Sequence, residues 1–158
     1  MSKLTLTTPS DREIVITRWF NAPRRLVFEA WTRPEHVRRF LFGPPGWIMT
    51  VCEIDARAGG RYRYAWEKDD GEKMSMSGTF QEVKAHERIV ATERFDQSWY
   101  PGGALVTNTF TEEGGKTLST IAILYDSKEA RDIAANSPMD QGMEMGFQRL
   151  DALLETWV

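Results

Sequence analysis

The chain has a single cysteine, Cys52, among its 158 residues, and only two histidines, His36 and His86. A lone cysteine excludes an intramolecular disulfide. One thiol and two imidazoles also fall short of the four ligands that a structural zinc site takes. We therefore expect no bound metal and a reducing compartment. No run of about 18 apolar residues occurs, which excludes a membrane-spanning helix. The opening "MSKLTLTTPSDRE" lacks the apolar core of a secretory signal. These absences lead us to expect a cytoplasmic protein with no membrane partner. An excess of basic residues is missing too: 20 Lys and Arg stand against 23 Asp and Glu, a formal net charge of −3. That balance argues against nucleic acid as a partner, which selects a strongly basic face.

Catalytic signatures are equally sparse. There is no Gly-x-Ser-x-Gly elbow, Walker loop or Gly-x-Gly-x-x-Gly fingerprint, so we expect no cofactor. His36 stands among Glu35, Arg38 and Arg39, and His86 in "KAHER"; both read as solvated. Neither has a second histidine four residues away to make a metal pair. Cys52 falls within a strand pattern and reads as an inert buried thiol. "EKDDGEK" reads as a hairpin tip, since the spaced ligands of a calcium loop are absent. Glu53, Asp55 and Glu93 lie in strands. A buried carboxylate could act as a general base, but the sequence places none of them in an interior.

What the chain does have is a normal apolar content, 41%, and many aromatics: six Trp, four Tyr and eight Phe. Its length suits one domain. "EIVITRWF" alternates and reads as a strand. "NAPRRLVFEAW" reads as a helix with Pro23 in its first turn and an apolar stripe of Leu26, Val27, Ala30 and Trp31. "TRPEHVRRFL" reads as a second short helix, with Thr32 and Glu35 at capping-box spacing. "FGPPGW" is a loop. Six strands follow: Ile48–Arg57, Gly60–Lys68, Lys73–Lys84, Arg88–Phe95, Ala104–Glu112 and Lys116–Tyr125. Turn residues at Asp70-Gly71, Pro101-Gly102-Gly103 and Gly114-Gly115 separate several of them. "DSKEARDIAANS" reads as a short helix, with Asp126 and Glu129 in capping positions. Met143, Phe147, Leu150, Leu154 and Trp157 then mark one face of a long amphipathic helix. This order predicts an α+β fold, a curved antiparallel sheet of about seven strands covered by the long C-terminal helix. Two short helices after the first strand close one end.

Five segments carry a family resemblance: "FNAPRRLVFEAWTRPEHVRRFLFGPPGW", "DARAGGRYRYAW", "SGTFQEVKAHERIVATERF", "VTNTFTEEGGKTLSTIAILYDSKEARD" and "GMEMGFQRLDALLETW". In that order, over about Arg12 to Trp157, the chain resembles the activator of heat-shock-protein-90 ATPase homologue family. That family lies within the START-like, or birch-pollen-allergen-like (SRPBCC), superfamily. The resemblance implies the helix-grip fold and a cavity between the sheet and the last helix. It also implies a range of activities: co-chaperone domains, lipid or hormone binders, and polyketide cyclases or aromatases. We expect an N-terminal arm over residues 1–11 and a single START-like domain over 12–158. Such chains often show a tryptophan pair where this one has Leu41-Phe42-Gly43-Pro44, so its pocket mouth should differ.

Candidate cavity residues follow from side-chain parity. Tyr62, Tyr64 and Trp66 share one face of a strand, with Arg61, Arg63 and Glu67 on the other. Simple core packing and a pocket wall are both open for these rings. Met76 and Phe80 share a parity on the next strand, as do Asn108 and Phe110 further on. Asn108 reads either as a buried amide satisfied by its neighbours or as a polar anchor for a ligand. Trp31, Phe40 and Trp47 flank the short helices and the "FGPPGW" loop, which is either a rigid connection or a lid. Met143 and Phe147 stand beside Gly142 and Gly146 on the last helix. Those glycines either permit close packing or leave room for a ligand. The expected partner is a small hydrophobic molecule, with a cyclase- or hydrolase-like enzyme as one alternative. A module docking a chaperone or a second copy is the other. It needs one of the two rows Leu118/Ala122/Leu124 or Ile121/Ile123/Tyr125 to face outward.

Overall fold

The computed structural model describes residues 2–157. Eight strands form one antiparallel sheet in the order β1-β2-β8-β7-β6-β5-β4-β3. They are β1 (Thr5–Thr7), β2 (Glu13–Phe20), β3 (Trp47–Ile54), β4 (Arg61–Lys68), β5 (Lys73–Lys84), β6 (Arg88–Phe95), β7 (Ala104–Glu113) and β8 (Lys116–Tyr125). The helices are α1 (Arg24–Thr32), α2 (Pro34–Val37), α3 (Lys128–Ala135) and α4 (Met139–Trp157). This is the α+β helix-grip arrangement, with one strand more than expected. The extra strand is β1, which lies in the expected arm and pairs along Thr5↔Thr17 to Thr7↔Val15. Its neighbour Leu4 donates its amide to Glu144 on α4 at 3.0 Å, so long-range pairing orders a segment that shows no strand pattern of its own.

Turn chemistry sets the register. Gly114 and Gly115 both have positive φ, +60° and +78°, the conformation that a two-residue hairpin between twisted strands requires. Two expected caps are corrected. Thr32 does not open α2; its hydroxyl donates back to the Phe28 carbonyl at 3.1 Å and closes α1. The α3 cap is Ser127, which accepts from the Ala130 amide at 3.1 Å. Asp126 instead accepts from the Gly103 amide at 2.9 Å, tying the β6–β7 connection to β8.

Alternation along each strand separates the two sheet faces. Ile14, Ile16, Arg18 and Phe20 on β2, with Ile121, Ile123 and Tyr125 on β8, are buried on the inner face that carries the helices. The row Leu118/Ala122/Leu124 therefore points to the outer face. There Trp19, in register with Leu118, is 37% exposed. No helix among the described residues is long and apolar enough to cross a membrane.

Candidate functional site

The last half of α4 is closed against the sheet. Phe147, Leu150 and Leu154 are buried. Phe147 packs edge-on against Phe20 at 5.5 Å and Trp31 at 6.3 Å, and Trp31 meets Phe40 at 5.2 Å. Gly146 explains the closeness: a Cβ there would sit 3.2 Å from the Phe40 carbonyl oxygen. Trp31, Phe40 and Phe147 are thus brought together, as a plug between α1 and α4. Phe110 packs separately against Phe28 at 5.7 Å. Asn108 is buried and accepts from the Ser119 hydroxyl at 2.8 Å, so a neighbouring strand satisfies its carbonyl.

The first half of α4 is different. Met139 and Met143 are only half-buried, and nothing lies within 4 Å of where a Gly142 Cβ would be. The inner face of β4–β6 carries a further set of aromatic side chains. Tyr62, Tyr64 and Phe80 are buried there, while Trp66, Met76 and Phe95 are half-buried although they point inward. The rings run in sequence, Phe80 to Tyr62 at 5.5 Å, Tyr62 to Tyr64 at 5.0 Å and Tyr64 to Trp66 at 6.0 Å. Trp66 donates its indole N–H to the Leu41 carbonyl at 2.6 Å. The half-buried Trp47 lies against Gly43 beside it. The stiff loop therefore ends on the β4 aromatic row.

Parity makes Glu93 the notable residue. It follows the buried Ile89 and Ala91 on the inner side of β6, while Arg88 and Arg94 face out. Its Oε2 accepts from the Tyr100 hydroxyl at 2.9 Å. Burial pushes its carboxyl above the ordinary carboxylate range, and the Tyr100 bond opposes this only in part. Its neighbour in register on β7 is Ala104, and beyond that lies Tyr125 on β8. On β5 the glycine of the row is Gly78, in register with Tyr62 on β4. The Tyr62 hydroxyl reaches over Gly78 and donates to the Thr92 carbonyl at 2.7 Å. Burial and the nearby Glu93 charge push the hydroxyls of Tyr62, Tyr100 and Tyr125 upward, so all three stay protonated. An acidic group between two small residues and then two tyrosines makes a polar spot on the inner wall, apart from those at Arg18 and Asn108.

Sequence reasoning named Glu93 as a strand residue but did not place it inside. The Ile89-x-Ala91-x-Glu93-x-Phe95 alternation carried that signal. Tyr100 lay in a turn-rich connection with no periodicity. The two histidines differ from expectation: both are half-buried, His36 against Trp157 at 4.4 Å and His86 against Phe28 at 5.6 Å. Cys52 is buried as expected, and burial pushes its thiol up. Two surface depressions of about 560 and 550 Å³ lie elsewhere, beside the start of α1 and on the outer sheet face. Charged side chains such as Arg24, Arg88, Arg61 and Arg94 line them, so neither is the space under α4.

The model of the family described as activator of Hsp90 ATPase homolog 1-like protein matches residues 21–155. No curated protein matches the chain. Among solved structures, the chain is similar to a Rhodobacter sphaeroides protein at 28% identity and TM-score 0.92, covering 98% of this chain and 99% of that one. It is similar to protein Ms6760 of Mycobacterium smegmatis at 27% identity and TM-score 0.82, covering 96% of each. An AHSA1-like protein of Aeromonas hydrophila, at 20% identity and TM-score 0.73 over 89% of this chain and 93% of that one, shares the fold.

Proposed function

This chain belongs to the activator of Hsp90 ATPase homolog 1-like family, and on that premise we propose that it binds a small hydrophobic or aromatic molecule between the sheet and α4. One observation carries the reading. Trp66, Met76 and Phe95 on the inner face of β4–β6 are only half-buried, and so are Met139 and Met143 on the first half of α4. Apolar side chains on a covered face that are not sealed mark a groove with room beside them. Methionine adapts to guests of different shape. Gly142, with open space at its Cβ position, adds no side chain beside Met143. Native mass spectrometry and thermal-shift measurements against fatty acids, flavonoids and polyketide-like compounds test this. At least one compound should bind and raise the melting temperature, and Met143→Trp should abolish that shift while the fold is retained. A panel that shifts nothing sinks the reading.

A cyclase- or hydrolase-like reading has Glu93 in its favour, because that reading needs an acid or base aimed at the same groove. Turnover of a bound compound that Glu93→Gln abolishes, with binding retained, would select it over simple binding.

A further inference from the structure

We propose that Glu93 and the rings around it receive the protonated amine of a small molecule with an apolar body. This rests on the ligand-binding reading above and names the ligand's chemistry. Three features converge on it. First, among the described residues Glu93 has no cationic partner. The buried charged residue of the inner face, Arg18, is by contrast held by Glu144 and Asp151. A partly buried carboxylate without a partner charge favours a cation that comes to it.

Second, Oε2 is bonded to Tyr100, while among the described residues Oε1 has no hydrogen-bond partner and yet is not fully sealed. Trp31 Nε1 is the one fully buried side-chain polar atom without a hydrogen bond among the described residues. Oε1 is therefore a free acceptor facing accessible space, and an ammonium N–H can fill it. Ala104, the neighbour of Glu93 in register on β7, adds only a methyl group on that side.

Third, the surroundings are aromatic. Tyr100 packs edge-on against Tyr125 at 5.1 Å, Trp99 at 4.9 Å and Phe95 at 6.0 Å, and Tyr62 bonds to the residue before Glu93. Ring faces attract an ammonium ion, and more strongly where water is excluded. A carboxylate ligand would meet Glu93 as a like charge. A neutral alcohol would gain a single hydrogen bond.

The test uses the full chain and three probes of one ring and similar length: 2-phenylethylamine, 2-phenylethanol and 3-phenylpropionate, titrated calorimetrically at neutral pH. The amine should bind roughly tenfold or more tighter than the alcohol, and the carboxylate weakest. Glu93→Gln, with its circular dichroism unchanged, should bring the amine down to the alcohol's affinity. In the wild type, the amine and not the alcohol should move the Glu93 side-chain carboxyl carbon resonance toward its ionised position. That measurement decides the matter if the Gln variant does not fold. Equal affinities for amine and alcohol, or a stationary Glu93 resonance, overturn the amine assignment and leave the ligand-binding reading standing. If none of the probes and none of the wider apolar panel binds, both fall.

Discussion

Arg18 grips Asp151 with two parallel hydrogen bonds, Nη1 to Oδ1 at 2.9 Å and Nη2 to Oδ2 at 2.7 Å. The same guanidinium reaches Glu144 through Nε at 3.0 Å and Nη2 at 3.1 Å. Glu144 and Asp151 are two turns apart on α4, so one side chain from β2 fixes the helix along its middle. The ring of Phe20 lies 4.9 Å from the guanidinium carbon and that of Phe147 5.6 Å, completing the wrapping. An arginine suits this place because its planar fork serves two carboxylates at once, which a lysine ammonium cannot do.

Removing that fork leaves two carboxylates facing each other over a small void. Breaking a buried pair costs roughly 3–5 kcal/mol. The cost here belongs at the lower end, because Glu144 and Asp151 keep 16% and 31% of their side chains in solvent. Arg18→Ala should thus destabilise by about 3 kcal/mol in urea, and Arg18→Lys by less. The acid limb should change as well. Burial pushes the Glu144 carboxyl up, but its bonds to Arg18 and the Leu4 amide, with the Arg18 charge, bring it below its ordinary 4.5. Its stabilisation is present above pH 4.5 and is lost as pH falls through the lower folded value. Arg18→Ala should flatten that acid-side decline. An unchanged urea midpoint would show that α4 is held by its apolar face alone.

Glu93 predicts the opposite slope. Its carboxyl lies above the ordinary 4.5 because burial disfavours the charge. The folded state then holds a proton that the unfolded chain releases. The stabilisation is complete below 4.5 and is lost as pH rises through the folded value. Glu93→Gln removes the titration, so the variant should gain melting temperature relative to wild type as pH rises from 4.5 to 8. Equal pH slopes for the two proteins would mean that Glu93 is hydrated and not inside the wall.

The glycines of α4 separate cleanly. Gly142 has open space where a Cβ would go, whereas a Cβ at Gly146 would press on the Phe40 carbonyl at 3.2 Å. Alanine in a helix is better than glycine by about 1 kcal/mol. Gly142→Ala should therefore stabilise by up to about 1 kcal/mol. Gly146→Ala should gain little or lose stability, since it must push α4 off the Phe40 segment. Thermal denaturation of the two variants reads the difference directly, and equal gains would refute the close approach at Gly146.

Much of this architecture is readable from the chain because period-two alternation and glycine turns are local signals. The strands Lys73–Lys84, Arg88–Phe95 and Lys116–Tyr125 match expectation residue for residue. Tyr62, Tyr64 and Trp66 do face inward, and Arg61 is exposed. Most of what escaped has a common cause. β1 is ordered by partners far along the chain, Thr17 and Glu144. Asp126 could have capped a helix, and a tertiary donor, the Gly103 amide, took it instead; Thr32 was taken locally by the Phe28 carbonyl of its own helix. Tyr100 meets Glu93 only because the β6–β7 connection folds back over the inner face. Single-sequence periodicity cannot report a contact made by an aperiodic loop.

Gly78 tests the inner wall most sharply. Alternation turns its missing side chain toward the interior, and there a Cβ would collide with the Thr92 carbonyl oxygen and lie 2.6 Å from Tyr62 Cε1. The glycine lets the Tyr62 ring cross β5 and bond to β6. It also lets β5 and β6 approach where Ser77 pairs with Arg94 and the Thr79 amide is taken by the Thr92 hydroxyl. Backbone cannot yield to a methyl group as a flexible side chain can, so overpacking here should cost about 3 kcal/mol or more. Gly78→Ala should lower the urea midpoint sharply and expose the Tyr62 hydroxyl, which ultraviolet titration would show as a tyrosine ionising closer to its ordinary value of 10. Pairing it with Tyr62→Ala removes one of the two obstacles. The double variant should then recover part of the loss relative to the sum of the singles. Strict additivity would mean that the Thr92 carbonyl alone demands the glycine, with the tyrosine an incidental neighbour.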